Sequence, residues 1–174
     1  MKKLLSILAA IFIATAAMAQ TADELYQKGR EAFGAHNFTE GFTLLEKAGN
    51  MGHVEAQYIL ALLYKEGAGG VEKDVKKAAK WFEKAASQGK VEAQLRIAML
   101  YRNGEGVEKN MKKAISWWEK AADQGNEDAL CILGVCYYEG EGVPKDTKKG
   151  LELLHKAAAQ GSQDATDILK KIGQ

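Results

Sequence analysis

GEGVEKNMKKAISWWEKAADQG, residues 104–125, decides the fold, because the chain writes nearly the same line twice more: GAGGVEKDVKKAAKWFEKAASQG at 67–89 and GEGVPKDTKKGLELLHKAAAQG at 140–161. Laying the chain on itself brings Ala56, Ala93, Ala129 and Ala165 into register, at steps of 37, 36 and 36 residues. The longer step contains one extra residue, in the glycine loop at 67–70. A period of this size marks a helical array whose units each bury an apolar face by stacking on a neighbour.

Within a unit, apolar residues recur every three or four positions, first at Ala56, Leu60, Leu63 and Tyr64, then at Ala78, Trp81, Phe82 and Ala85. That is helical spacing, twice per unit, giving a helix A and a helix B. Gly104 and Gly106 allow the positive φ angles that ending helix A and turning the chain require. Asp74, Asn110 and Asp146 stand where helix B starts, each able to accept a hydrogen bond from an unpaired amide as an N-cap. Gly89, Gly125 and Gly161 close helix B. Asn126 and Ser162 are good caps for the next helix A, and Lys90 and His53 are weaker ones. The neighbouring pairs Trp81–Phe82, Trp117–Trp118 and Leu153–Leu154 lie about 100° apart around a helix, so one member packs within its unit and the other reaches an adjoining helix.

The first nineteen residues, MKKLLSILAAIFIATAAMA, combine two lysines, an apolar stretch and a small-residue end, the form of a cleaved secretory leader. The apolar part is shorter than the roughly 20 residues a membrane span needs. The expectation is a mature chain of 155 residues starting near Gln20, without stable membrane insertion, in the periplasm or secreted. Such a chain carries 22 basic against 23 acidic residues, a balance that argues against nucleic acid as a partner. Cys131 and Cys136 are the only cysteines. Five residues apart on one helix, they sit about 7.5 Å apart along the axis and point in different directions, so they read as small apolar side chains and not as a disulfide with each other, a redox or intermolecular role being the alternative. No spacing suggests a metal or other cofactor.

The repeated landmarks, namely Tyr64, Tyr101 and Tyr137, the G-x-G-V loops ending in Val71, Val107 and Val143, and the K-A-A-x-x-G runs from Lys84, Lys120 and Lys156, resemble the Sel1-like repeat, a relative of the tetratricopeptide repeat. The resemblance implies an all-α, right-handed superhelical solenoid of helix-turn-helix repeats. Its expected units are a leader at 1–19, a degenerate tetratricopeptide-like repeat at 20–52, Sel1-like repeats at 53–89, 90–125 and 126–161, and a capping helix at 162–174. Asp167, Lys170 and Lys171 give that last helix a polar outer side. In the third repeat, Gly150 and Leu153 replace the usual alanine and tryptophan.

The resemblance also implies a protein- or peptide-binding surface on the helix A faces. Carried across residue by residue, the groove positions are Tyr26, Arg30 and Phe33 in the first unit, and Glu55, Tyr58, Leu62 and Lys65 in the second. They are Glu92, Leu95, Met99 and Arg102 in the third, and Asp128, Cys131, Val135 and Tyr138 in the fourth. These positions differ between units while the packing positions agree, the pattern of a surface shaped for a partner. Met99 offers an adaptable shape, and Arg102 or Lys65 a contact for a carboxylate.

The alternative is a cell-wall-active or β-lactam-hydrolysing enzyme, since some cysteine-rich proteins with such repeats have been linked to β-lactam binding. Ser87-Gln88-Gly89-Lys90 matches S-x-x-K, but a glycine separates the pair at a helix end and the companion motifs are missing. The glycine loops follow helices and lack dinucleotide-binding spacing. The lysines after each N-cap, such as Lys112 and Lys113, read as a solvated face, and Asn37-Phe38-Thr39 as an incidental glycosylation acceptor. The sequence thus favours a non-catalytic interaction module.

Overall fold

Each stretch with three-to-four apolar spacing is a helix in the computed structural model, which describes residues 21–173. The expected leader at 1–19 lies outside the described residues. Helix α1 occupies 21–34, followed by α2 (Phe38–Asn50), α3 (Val54–Glu66), α4 (Val75–Ser87) and α5 (Val91–Asn103). Then come α6 (Met111–Asp123), α7 (Glu127–Glu139), α8 (Thr147–Ala159) and α9 (Gln163–Lys171). The helices α2 to α8 are each 13 residues long, and there is no strand among the described residues. The architecture is an all-α array of helix-turn-helix repeats, as the periodicity requires.

One loop design recurs. Gly67, Gly104 and Gly140 end α3, α5 and α7 in the left-handed conformation, with φ of 69°, 76° and 82°. The chain then returns so that the backbone N–H of Asp74, Asn110 and Asp146 donates to the carbonyl of Tyr64, Tyr101 and Tyr137, each at 2.8 Å. The side chains of the same three residues cap the next helix, accepting from Lys77, Lys113 and Lys149 at 2.9, 3.0 and 2.9 Å. The ammonium groups of those lysines lie over the same tyrosine rings, at 5.1, 4.8 and 3.7 Å from the ring centres. Each contact of this kind contributes about 0.5–1 kcal/mol at an exposed site. Lys113, expected on a solvated face, therefore holds a ring and its hydroxyl as well, the latter at 3.3 Å.

The chain forms two compact units, one running to Ala85 and the other starting at Ala86. In the first, Leu45, Leu60, Ala78 and Phe82 are buried. Helices α1 and α2 meet through Gly29 and Gly41, and a Cβ at Gly41 would come within 2.5 Å of the Phe33 ring. Buried Gln57 donates its side-chain amide to the Gly49 carbonyl at 2.9 Å, satisfying an acceptor in the last turn of α2.

The second unit repeats these devices. Ile97, Trp118, Leu130 and Leu154 form its core, and Gln94 donates to the Ala86 carbonyl at 3.1 Å. Of the tryptophan pair, Trp118 is fully buried, while Trp117 lies half-buried beneath the Lys120 ammonium at 3.8 Å. Lys84 covers Trp81 in the same way at 3.9 Å, which explains the lysine repeated three residues after the first aromatic of each pair. Gly150 has its own reason: a Cβ there would lie 2.6 Å from the Tyr138 backbone nitrogen and 2.8 Å from the Gly134 carbonyl. Helices α7 and α8 thus approach backbone to backbone, and the glycine is the condition for it.

Asn126 and Ser162 cap α7 and α9 as expected, at 2.9 and 3.3 Å. His53 is a stronger cap than its residue type suggests, because its Nδ1 accepts from the Ala56 amide at 3.1 Å. Lys90 gives α5 no side-chain cap and pairs instead with Glu92 at 3.4 Å.

Candidate functional site: a cleft between helices α7 and α9

The anticipated groove residues fall at spacings of three and four on α3, α5 and α7, so each set forms one stripe along its helix. In the second unit, Leu95 and Val135 are half-buried and Met99 is 38% exposed, leaving apolar surface on α5 and α7 beside the packed core. Glu92 and Asp128 stand exposed in the first turns of the two helices. Its own backbone amide holds the Glu92 carboxyl below its ordinary range; burial opposes this, and the Lys90 ammonium adds to the lowering.

A cleft of about 360 Å³ opens on this side of the unit. Its floor is apolar, formed by Cys131, Ile132 and Val135 of α7 and by Ile168 of α9. Arg102 and Glu141 stand at one edge, joined at 3.2 Å with each side chain 40% exposed. The pair ties the end of α5 to the loop after α7. Arg102, expected to await a partner's carboxylate, already holds one.

The opposite edge belongs to α9, through Asp164, Asp167 and Lys171. Asp167 and Lys171, expected on the polar outer side of the last helix, are exposed and also line the cleft. The repeat register contained the signal: adding 36 to Asp128, Cys131 and Val135 gives Asp164, Asp167 and Lys171.

Cys131 is only 6% exposed and contributes to the floor of the cleft. Burial pushes its thiol pKa up, a hydrogen bond with Ser162 opposes this, and the carboxylates of Asp164 and Asp128 add to the rise. Cys136 is 2% exposed and its thiol is pushed up to about 11, mainly by burial. Both cysteines are free, as their helical spacing implied. Tyr138, one turn beyond Val135, is half-buried.

In the first unit, several anticipated binding residues serve internal packing. Tyr26 stacks on His53 with ring centres 4.2 Å apart, and Arg30 lies over Tyr26 at 5.7 Å. Phe33 packs near Phe38 at 5.8 Å, and Tyr58 against Phe82 at the same distance. Lys65 pairs with Glu66 at 3.2 Å, Leu62 is half-buried, and Glu55 lines a separate cleft of about 370 Å³ with Met51 and His53. A third cleft, of about 340 Å³, lies beside the enlarged glycine loop, between Phe42, Tyr64 and Lys77.

Among the described residues there is no group of three or more side chains able to hold a metal ion, and no helix is long and apolar enough to cross a membrane. Ser87 ends α4, and the Lys90 ammonium beyond it is committed to the Glu92 carboxylate.

Comparison with known proteins matches the architecture to a named repeat. The Sel1 repeat model matches residues 15–53, 54–90, 91–126 and 127–162. The chain is similar to c5321, described as a protective antigen present in uropathogenic Escherichia coli strains and displaying an SLR fold: TM-score 0.77, 29% identity, over 89% of this chain and 35% of that one. It is also similar to a Sel1 repeat protein from Oxalobacter formigenes, with TM-score 0.70 and 34% identity over 80% of this chain and 57% of the other. Cysteine rich protein B of Helicobacter pylori gives TM-score 0.57 and 28% identity, over 72% of this chain and 94% of that one. The chain thus spans about a third and rather more than half of the first two proteins. No match was found among curated proteins.

Proposed function

Because the chain belongs to the Sel1 repeat family, we propose that it is an exported, non-catalytic interaction module that binds a protein or peptide segment on the faces of its odd-numbered helices. The observation carrying this reading is the stripe of apolar side chains, Leu95 and Met99 on α5 and Val135 on α7, left accessible beside a cleft. Accessible apolar surface of this kind, rimmed by charge, is characteristic of recognition sites. The fold alone does not specify a function, so the reading rests on the site. The leader-like first nineteen residues support action in the periplasm or outside the cell, and the near-neutral charge supports a protein partner over a nucleic acid.

The test is affinity capture from bacterial envelope and secreted fractions, comparing the unaltered protein with a Met99→Ser, Val135→Ser variant. Both residues are at least partly exposed, so the variant keeps the core; Tyr58 is a poorer choice because it packs on Phe82. Partners retained by the unaltered protein and lost from the variant support the reading. Equal recovery on both proteins would contradict it. Turnover of penicillin-like substrates or peptidoglycan by the purified protein would favour the enzymatic alternative.

A further inference from the structure

The end of α5 carries a reactive dipeptide. Asn103 stands directly before Gly104, whereas the other asparagines precede Phe38, Met51, Met111 and Glu127. Glycine has no side chain to shield the preceding carboxamide, so its own backbone nitrogen can approach the carbonyl carbon closely; the larger residues after the other asparagines obstruct that approach. We propose that Asn103 is a site of spontaneous modification, its carboxamide converting to a carboxylate through a cyclic imide at a rate set by the opening of the α5 cap. In this step the Gly104 nitrogen loses its proton and bonds to Asn103 Cγ, and ammonia leaves. Water then opens the ring at either carbonyl, giving aspartate or its β-linked isomer. The net change is one water consumed and one ammonia released, with no partner, metal or oxidant required.

The repeat itself does not require asparagine here. Glu66 and Glu139 end α3 and α7 at the same register, each before its own cap glycine. Asn103 and Gly104 are both exposed, so water reaches the site. Two contacts engage the reacting groups while the cap is closed. The Gly104 N–H donates to the Leu100 carbonyl at 2.8 Å, which ties the attacking nitrogen into the left-handed turn at φ 76°. The Asn103 Nδ2 donates to Glu105 Oε1 at 2.7 Å, which turns the carboxamide toward the loop. Ring closure needs both released, and helix ends are among the parts of a fold that open most readily. The products then differ in consequence. Aspartate loses only the bond to Glu105, whereas the β-linked isomer lengthens the backbone by one atom inside the cap and breaks the register of the Leu100 bond. That damage falls next to Arg102 and about one turn from Met99.

The experiment is incubation of the purified full chain at mildly alkaline pH, folded and in urea above its unfolding midpoint, followed by peptide mass mapping and enzymatic methylation of β-linked aspartate. In the folded chain, residue 103 is expected to gain about 1 Da and to yield the β-linked isomer alongside aspartate, while Asn37, Asn50, Asn110 and Asn126 keep their amides. Conversion should run between about tenfold and a hundredfold faster in the unfolded chain. Glu105→Ala frees the carboxamide and leaves the backbone cap in place, so it should speed conversion in the folded chain about threefold. Asn103→Gln, whose closure would need a six-membered ring, should give no product over the same period. Equal rates in folded and unfolded chains, or no effect of Glu105→Ala, would overturn the cap as the gate. Residue 103 still intact in the folded chain beyond that hundredfold interval, or conversion at the other asparagines to the same extent, would overturn the site itself.

Discussion

At the scale of single residues, small changes have large leverage because several side chains or hydrogens occupy the only space available. Gly150 is one: alanine is the better helix former by about 1 kcal/mol, yet its Cβ would strike the Tyr138 backbone. Gly150→Ala should therefore destabilise the chain by about 1–3 kcal/mol in urea unfolding, against the propensity scale. His53 is another, since its Nδ1 caps α3 while its Nε2 lies 3.0 Å from Asp23. Replacing it with alanine should cost about 1 kcal/mol or more, and His53→Asn should recover the cap but not the Asp23 contact.

Cys136 gives the pH dependence. Its pKa is raised in the folded state, so its contribution to stability is complete below the ordinary thiol range and is lost as pH rises toward about 11. Stability should fall by about 2–3 kcal/mol across that interval, and Cys136→Ala should flatten the slope while lowering stability throughout. Chemical denaturation at a series of alkaline pH values checks both. Helical geometry alone argued against a bond between Cys131 and Cys136, but did not show how deeply each is buried.

At the scale of elements, the loop between paired helices is the unit that repeats most faithfully. Its glycine, capping residue, tyrosine carbonyl and lysine close a small circuit of backbone and side-chain contacts. Gly104 sits at φ 76° with the Lys109 Cβ 3.2 Å from where its own Cβ would be. Gly104→Ala should cost about 1–2 kcal/mol from the left-handed backbone alone, measurable as a lowered urea midpoint with little change in slope.

The helices and their caps were legible because 3.6-residue spacing and capping chemistry are local. Other parts of each element were not. Gln57 and Gln94 look like surface residues in sequence, yet they are buried against the carbonyls of the preceding helix. Lys113 is exposed, as its sequence suggests, but it also lies on Tyr101. In both cases the partner is supplied by a different element, and no spacing within one helix announces it.

At the scale of the molecule, repetition made the architecture legible, while the site emerged only in part. Arg102, Cys131 and Val135 do line one cleft, but Arg102 is already paired, and the aromatic residues chosen in the first unit contribute to packing. That Asp164, Asp167 and Lys171 of α9 line this cleft was not legible, because a polar last helix reads in sequence as a terminal cap. The register that placed Ala165 also placed Asp164, Asp167 and Lys171.

The central claim is that partners engage the odd-numbered helices. It is tested most directly by hydrogen–deuterium exchange on the full chain, free and bound to a captured partner. The account predicts slower exchange in the segments spanning Leu95–Arg102 and Asp128–Tyr138. Protection confined to α6, α8 and the glycine loops, with α5 and α7 unchanged, would contradict it.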